Sequence, residues 1–364
     1  MTKIFIRKEK DLIFTGRTLF GAAPPKGQEM DDHYFGSIKE RVACFMHELN
    51  VELWKLGVPA KTQHNEVAPA QHELAPIFED CNKATDHNQL IMEAMKRISG
   101  HHDMTCLLHE KPFAGVNGSG KHVNWSLSTD DGRICLILGK HRMKMHSSLY
   151  FCARLSRVWM NTLSCCAFLQ PTPATIIVSA RRRHRRQSFH SFLAISCRIF
   201  STRLSMAKQR AAAGRQNESW CKHAACTEKG RNGQKQNLSL RLTGNKFEFR
   251  MPPSSASISG PNFSLNTIVA EELQKFADEL EQAEDFNAAV HELVRRTYVE
   301  HKRVIFDGNG YSEEWLEEAT RRGLPNITNS VDAVQAFLDD KVVELFGKHG
   351  VLSSIELQAR AEIR

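Results

Sequence analysis

Apolar side chains recur at helical spacing in two stretches of the N-terminal part of the chain. In residues 32–57 they fall three and four positions apart, and Gly57 follows as a stop, which predicts an amphipathic helix. Residues 84–99 repeat this pattern. Between and after these two stretches, short runs of β-prone residues predict strands at residues 64–68, 104–109 and 122–128.

The C-terminal part begins with a strand pattern and then becomes helical. Residues 246–250 alternate charged and aromatic side chains, so Lys246, Glu248 and Arg250 should share one face of a strand. From Leu265 onward, helical periodicity predicts helices at residues 265–283, 285–304, 312–322 and 331–347. The pattern as a whole predicts an α+β fold with a helix-rich C-terminal part.

The pattern contains no segment expected to enter a membrane. No apolar run reaches the roughly 18 residues that a spanning helix requires. Residues 1–8 carry neither a long apolar stretch nor a small-residue cleavage site, so a secretory signal is not expected. We therefore expect a cytoplasmic protein.

Charge changes this picture, because it divides the chain into three parts. The whole chain carries a net charge of +8, which ordinarily suggests an anionic partner. Residues 133–241, however, hold 21 Lys and Arg against two Glu, whereas the rest holds 28 bases and 39 acids. Seven of the ten Cys also lie in that middle segment. We expect residues 1–132 and 242–364 to be an ordinary acidic enzyme, interrupted by an irregular segment.

The middle segment has two conventional interpretations. It contains the run Arg-Arg-Arg-His-Arg-Arg at residues 181–186, which is typical of a nuclear-localisation or RNA-binding patch. It could also be a disordered basic insertion. Neither interpretation suits its many Cys, Trp and Phe residues, because disordered segments are poor in those types.

A first candidate site lies at residues 65–73, where Glu66 ends a predicted strand and Glu73 opens the next. Two carboxylates that converge across a turn suit Mg²⁺ or Mn²⁺, which prefer oxygen ligands. Two surface acids are the alternative. A zinc-protease motif is excluded, because the second histidine it requires is replaced by Pro76.

A second candidate is the glycine-rich run at residues 115–121. It resembles a phosphate-binding P-loop, except that His122 stands where Ser or Thr would bind Mg²⁺. The β-prone residues Val123 and Trp125 follow, whereas a P-loop opens a helix. The run is better interpreted as a turn that presents backbone N–H groups and Asn117 to an anionic substrate, with His122 as a metal ligand. A glycine-rich hairpin with a solvent-exposed histidine is the alternative.

The third candidate is the strand face that carries Glu248 and Arg250. The carboxylate could bind a metal and the guanidinium an anion. A surface ion pair of little energetic value is the alternative.

Together, these strings resemble glutamine synthetase of type III. The resemblance covers residues 1–132 and 242–364, and it is carried by residues 15–21, 65–76, 107–128, 243–252 and 270–273. It implies the catalytic fold of that family, a curved antiparallel sheet flanked by helices, with the metal site on the concave face. The family's earlier strand with its Glu-x-Glu pair, and its C-terminal end, have no counterpart in the matched strings.

The resemblance also implies an activity and a set of metal ligands. ATP phosphorylates the side chain of glutamate, and ammonia then displaces phosphate, with Mg²⁺ or Mn²⁺ neutralising the transferring group. By position, Glu66 and Glu73 resemble ligands of one metal, and His122 and Glu248 resemble ligands of the nucleotide-side metal. Family members form homo-oligomeric rings, so glutamate, ammonia, ATP and further copies of the chain are the expected partners.

Further roles carry over to residues of the second and third candidates. Asn117 and Gly118 resemble the glutamate-binding loop, and Arg250 resembles the catalytic arginine that steadies phosphate or substrate. Ser126 and Asn124 resemble nucleotide contacts.

The middle segment departs from the family. Its counterpart there carries an Asp-His-Arg-Leu-Gly-Ala-Asn-Glu-Ala-Pro-Pro-Ala run, which supplies a glutamate-binding arginine and a flap glutamate. Shifted back by one nucleotide, residues 176–180 become compatible with Asp-His-Arg-Leu-Gly, residues 183–187 with Glu-Ala-Pro-Pro-Ala, and residues 159–162 with the family-like Asp-Glu-Tyr-Ala. We therefore predict a pair of compensating frameshifts, near 132–136 and near 236–242, and no synthetase activity in this copy. A genuine basic insertion is the rival hypothesis.

Other functions are less well supported. Another carboxylate–amine ligase of the superfamily, such as a γ-glutamyl-polyamine ligase, or a guanido kinase would share the fold. The wording Thr-Gly-Arg-Thr-Leu and Lys-Pro-Phe-Ala-Gly-Val-Asn-Gly-Ser-Gly favours glutamine synthetase. A non-enzymatic protein that binds nucleic acid through residues 181–186 would show steeply salt-dependent binding, and we do not expect it.

Overall fold

The computed structural model describes part of the chain. The described residues are 32–110, 113, 118–132, 134–135, 191–192, 240–242, 246–250, 252–301, 303, 313–324 and 333–363. Those up to Lys121, together with 252–259, belong to one compact unit, and the remainder belong to a second. The predicted irregular segment falls almost wholly outside the described residues, and its predicted junctions near 132–136 and 236–242 are described in part.

In its described residues, the first unit contains three helices and a β-hairpin. The helices are α1 (Asp32–Phe35), α2 (Glu40–Lys55) and α3 (Cys81–Ser99), and Gly100–His102 adds a turn of 3₁₀ helix. Strands β1 (Ala60–Asn65) and β2 (His72–Pro76) pair antiparallel. The apolar stripes predicted from periodicity meet between α2 and α3, where Leu49, Leu53 and Ile98 are fully buried.

Several predicted boundaries in this unit are corrected. The helix predicted at 32–57 is two helices, since Gly36 and Ser37, which have weak helix propensity, separate α1 from α2. The chain then turns at Gly57 with φ of +77°, a conformation that glycine tolerates best. The strand predicted at 64–68 lies at Ala60–Asn65. The strand predicted at 104–109 is wrong, because that stretch has no regular structure.

The second unit contains a small sheet. Its strands are β3 (Val123–Trp125), β4 (Ser191–Phe192), β5 (Leu240–Leu242) and β6 (Phe247–Phe249), in the order β3-β6-β5-β4. Strand β6 is antiparallel to both of its neighbours, and β4 runs parallel to β5. The strands predicted at 122–128 and 246–250 are therefore present but shorter.

The helical C-terminal part is confirmed, with adjusted ends. The helices are α4 (Ser259–Glu281), α5 (Phe286–His301), α6 (Glu313–Arg321), α7 (Asp340–Lys348) and α8 (Ser354–Ile363), of which α8 was not predicted. The helix predicted at 331–347 is broken: Gln335–Leu338 is a 3₁₀ turn, and Asp339 caps α7 by accepting a hydrogen bond from Lys341 N at 3.0 Å. In the described part of the chain, no helix is long and apolar enough to cross a membrane.

A buried ion cluster attaches the end of α7 to α4. The buried Glu271 carboxylate accepts hydrogen bonds from Lys348 Nζ and His349 Nε2, each at 2.8 Å, and lies 3.1 Å from Lys275 Nζ. Burial by itself would raise the pKa of Glu271, but the hydrogen bonds from these three side chains outweigh it and lower the pKa to about 2. The ionised carboxylate therefore stabilises the folded state.

This cluster should give stability a defined pH dependence. Because the folded pKa of Glu271 lies below the ordinary value of about 4.3, its contribution is complete above about pH 5 and is lost as pH falls toward 2. We expect Glu271→Gln to lower the free energy of unfolding by about 2 kcal/mol at pH 7. The difference from wild type should shrink as denaturation is repeated from pH 5 downward. Glu362→Gln, at an exposed position of α8, is the control and should change little. An undiminished difference at pH 2.5 would contradict this assignment.

Candidate active site

The pairing of β3 with β6 separates an apolar face from a polar one. Val123 lies opposite Phe249 and Trp125 opposite Phe247, and all four side chains are buried. Asn124 lies opposite Glu248 on the other face. Since side chains alternate along a strand, the same polar face also receives the residues that flank each strand, His122 and Arg250.

His122, Glu248 and Arg250 form one bonded cluster on this polar face. Arg250 Nη1 lies 2.6 Å from His122 Nε2, and Arg250 Nη2 donates to Glu248 Oε1 at 2.7 Å. An arginine can only donate, so Nε2 of His122 accepts in this contact, which leaves Nδ1 as the other ring nitrogen. That nitrogen lies 3.6 Å from Glu248 Oε1. The Glu248 and His122 side chains are each only 14% exposed, so this is not the surface ion pair of the alternative interpretation.

The cluster offers chemistry that a divalent cation can use. An imidazole nitrogen and a carboxylate oxygen are suitable ligands for Mg²⁺ or Mn²⁺. In this structure the guanidinium of Arg250 bonds to His122 Nε2 and to Glu248 Oε1, and it supplies the positive charge that compensates the carboxylate. A metal bound by His122 and Glu248 would therefore replace Arg250 there, and the guanidinium would turn toward an anion.

The other two candidate metal ligands lie on the hairpin of the first unit. His64 lies opposite Glu73, and Glu66 N donates to Gln71 O at 2.9 Å, which continues the pairing by two residues. This register puts Glu66 and Glu73 on the same face as diagonal neighbours. Glu66 is only 6% exposed, so it is not a surface acid, while Glu73 is half-buried.

The opposite face of the hairpin is occupied by structural contacts. Asn65 Oδ1 lies 2.9 Å from His72 Nδ1, and Asn65 Nδ2 donates to Gly36 O at 2.8 Å. Burial, and to a smaller extent the charge of Lys39, lowers the pKa of His72, so the ring is neutral at physiological pH.

The glycine-rich run is described from Gly118 onward, and Asn117 lies outside the described residues. Glycine suits position 120, because a Cβ there would lie 3.2 Å from Glu110 Cγ and 3.3 Å from Pro252 O. Burial lowers the pKa of Lys121 to about 8, against the opposing effect of Glu110. Its amine contacts structural groups, namely Asn88 Oδ1 at 3.1 Å, Met92 Sδ at 3.1 Å and Ala256 O.

The geometry agrees with the rejection of a P-loop. A P-loop lysine must reach toward phosphate, whereas the Lys121 amine is held inside its own unit. The strand β3, and not a helix, follows the run. Asn124 and Ser126, the candidate nucleotide contacts, are both exposed, and their role stays a prediction.

Sequence analysis missed one residue of this region, Gln71. Its side chain hydrogen-bonds to the backbone of His109, Glu110 and Ser119. Such contacts cannot be predicted from a pattern of side chains, because every residue has the same backbone groups. Within the described ranges, no three His, Cys, Asp or Glu side chains lie close enough together to hold a metal ion.

Comparison with known families and proteins gives a consistent result. Residues 15–175 match the family model of the glutamine synthetase catalytic domain, and residues 289–364 match that of the glutamine synthetase C-terminal domain. The chain is 41% identical over 375 residues to a glutamine synthetase of Butyrivibrio fibrisolvens, covering 99% of this chain and 52% of the relative. It is 36% identical over 367 residues to the Type-3 glutamine synthetase of Dictyostelium discoideum, covering 99% and 49%. The chain thus spans about half the length of the curated relatives it matches.

Solved structures agree on the fold. A cryo-EM structure of Plasmodium falciparum glutamine synthetase superposes with a TM-score of 0.54 at 14% identity, covering 97% of this chain and 64% of that one. Ligand-free GmaS superposes with a TM-score of 0.51 at 16% identity, covering 89% and 58%. The predicted fold class is therefore confirmed.

The bonded cluster predicts how a variant should respond to a cation. Arg250→Gln leaves the Glu248 carboxylate without its guanidinium, so we expect the free energy of unfolding to fall by about 2 kcal/mol. Added Mn²⁺ should raise the melting temperature of the variant more than that of wild type, because the ion no longer competes with Arg250.

The matched control is Arg295→Gln, which removes a more exposed ion pair with Glu292 and should change stability little. Equal Mn²⁺ effects on wild type and on Arg250→Gln would contradict competition at this cluster.

Proposed function

Because the chain belongs to the glutamine synthetase family, we propose that it derives from an ATP-dependent glutamate–ammonia ligase. The ligase would use Mg²⁺ or Mn²⁺, take ATP as a substrate and work in the cytoplasm as a homo-oligomeric ring. The observation that carries the proposal is the cluster of His122, Glu248 and Arg250, which combines a metal-ligand pair with a cation for an anionic substrate.

The reaction begins at the side-chain carboxylate of glutamate. That carboxylate attacks the γ-phosphorus of ATP, ADP leaves, and an acyl phosphate forms. Ammonia then attacks the acyl carbon, phosphate leaves, and loss of a proton from nitrogen gives glutamine. A divalent cation supplies positive charge to the phosphoryl oxygens during the first step.

The chain's own residues would position these groups. His122 and Glu248 would hold the nucleotide-side cation, while Glu66 and Glu73 would hold the other. Arg250, released from its present partners, would pair with phosphate or substrate oxygens through two parallel N–H groups.

The remaining candidates would bind the organic parts of the substrates. Asn124 shares the polar face with Glu248, and both Asn124 and Ser126 are open to the nucleotide. Asn117 and Gly118 would present the glycine-rich loop to glutamate.

We further propose that this exact polypeptide is inactive as a ligase. The catalytic-domain match ends at residue 175, next to residues 176–187, which in another reading frame are compatible with the family's missing run. That run carries the glutamate-binding arginine and the flap glutamate of the family, so its replacement would remove both groups. The match crosses the predicted first junction near 132–136, so its end does not distinguish a frameshift from a basic insertion. The charge split, the cysteine surplus and the three runs that become family-like in another frame support the frameshift hypothesis over a basic insertion.

The test is a comparison of two gene versions. The gene is first sequenced again across codons 125–250. A second version is expressed beside it, with the reading frame restored over codons 133–241 and with the Glu-x-Glu strand and C-terminal end supplied from a full-length relative. Purified proteins are assayed for ADP and glutamine release that depends on glutamate, ATP and ammonia together. We expect no release from the present chain, release from the restored protein, and a loss of at least about 100-fold in the restored protein with Glu248→Gln.

Two results would refute these proposals separately. Glutamine release by the present chain would show that the middle segment does not abolish activity. An inactive restored protein that is folded by circular dichroism would count against the ligase assignment itself.

A further inference from the structure

The side chain of Gln71 makes four hydrogen bonds to the main chain of distant residues. Its Nε2 donates to Ser119 O at 3.0 Å, His109 O at 3.2 Å and Glu110 O at 3.4 Å. Its Oε1 accepts from Ser119 N at 3.0 Å. The amide of Gln71 therefore pairs with both backbone groups of Ser119, as one peptide group pairs with another in a sheet.

The main chain of Gln71 is itself fixed to the hairpin that carries the candidate metal ligands. Gln71 O accepts from Glu66 N at 2.9 Å, and Gln71 N donates to Ala68 O at 3.2 Å. The preceding residue, Ala70, has φ of +55°, so the turn holds a conformation that is costly for alanine. Gln71 thus lies opposite Glu66 on the hairpin and two residues before Glu73. Its backbone is held in place by hydrogen bonds to Glu66 and Ala68.

The partner, Ser119, lies in the glycine-rich loop (residues 118–121). A Cβ at Gly120 would lie 3.2 Å from Glu110 Cγ and 3.3 Å from Pro252 O, so a side chain there would require these neighbours to shift by a few tenths of an ångström. Glu110 is buried and accepts a hydrogen bond from Ser254 N. Three segments of the first unit, at residues 109–110, 118–120 and 252–254, are therefore joined, and Gln71 connects two of them to the hairpin.

We propose that Gln71 is a positioning residue that couples the order of the glycine-rich loop to divalent-cation binding at Glu66 and Glu73. The assignment of the cation rests on the proposed function, whereas the loop contacts do not. A cation that fixes the hairpin also fixes the backbone of Gln71, and the amide transmits that constraint to Ser119, beside the residues expected to bind glutamate.

The chemistry of the contacts requires glutamine at this position. Glutamate would put a charged carboxylate against three carbonyl oxygens and would lose every donated hydrogen bond. Asparagine is one methylene shorter and would not reach Ser119 from the same backbone position.

The test measures amide hydrogen exchange by mass spectrometry, with MnCl₂ as the probe and no need for ligase activity. In Gln71→Ala we expect exchange at residues 118–120 to quicken roughly tenfold or more, and more still in Gln71→Glu. In wild type, MnCl₂ should slow exchange at these amides. In Gln71→Ala that slowing should disappear, although Mn²⁺ affinity, measured by electron paramagnetic resonance, changes less than about threefold.

The matched control is Gln358→Glu, at an exposed glutamine of α8 whose side chain donates to Glu362 in the same helix at 3.3 Å. It should leave exchange and the Mn²⁺ effect at the loop unchanged. Circular dichroism of each variant verifies that it folds, and Gln71→Asn provides a milder change if Gln71→Ala does not.

Three results would overturn the inference: unchanged loop exchange in Gln71→Ala, an Mn²⁺ effect that survives the substitution, or the absence of any Mn²⁺ effect in wild type. If the Mn²⁺ effect on loop exchange depends on Gln71 but the frame-restored protein is inactive, the proposed function fails and the coupling stands.

Discussion

The candidate site depends on the antiparallel pairing of β3 with β6. This pairing joins Val123 to Phe249 and Trp125 to Phe247, across more than a hundred intervening residues. Burial of these four side chains stabilises the pair, and the entropy cost of closing the intervening segment grows only with the logarithm of its length. A shift of one residue in register would turn the polar face inward, so the apolar pairs also determine where His122, Glu248 and Arg250 lie.

Charge compensation is the second constraint on the structure. Glu248 and Glu271 are both removed from most solvent, and each is paired with cationic side chains. At Glu271 the partners come from α4 and the end of α7, and the cluster serves stability. At Glu248 the partner is the guanidinium of a candidate catalytic residue, and a cation that replaces it would free that residue for substrate. The same physical requirement therefore supports a structural role in one place and a chemical role in the other.

Much of this arrangement could be predicted from local pattern, and the rest depends on tertiary contacts. Period-two alternation predicted the shared face of Lys246, Glu248 and Arg250, and helical periodicity predicted most helices. The strand predicted at residues 104–109 failed because apolar residues such as Leu107 are there without a pairing partner in the described structure. The break before α7 escaped detection because the cap at Asp339 interrupts an otherwise continuous apolar pattern. Gln71 was missed because its partners are backbone groups, which look alike in every sequence.

The most direct measurement is of the pairing itself, by disulfide formation between engineered cysteines at the directly opposed positions 124 and 248. Opposed residues of antiparallel strands have Cα atoms about 4.5–5.5 Å apart, which a disulfide can span. After oxidation of Asn124→Cys/Glu248→Cys, mass spectrometry of tryptic peptides should find the two positions linked, and the offset pair Ser126→Cys/Glu248→Cys should link far less. If the opposed pair does not link, or the offset pair links as readily, then the strands are not paired in this register and the site as described does not form.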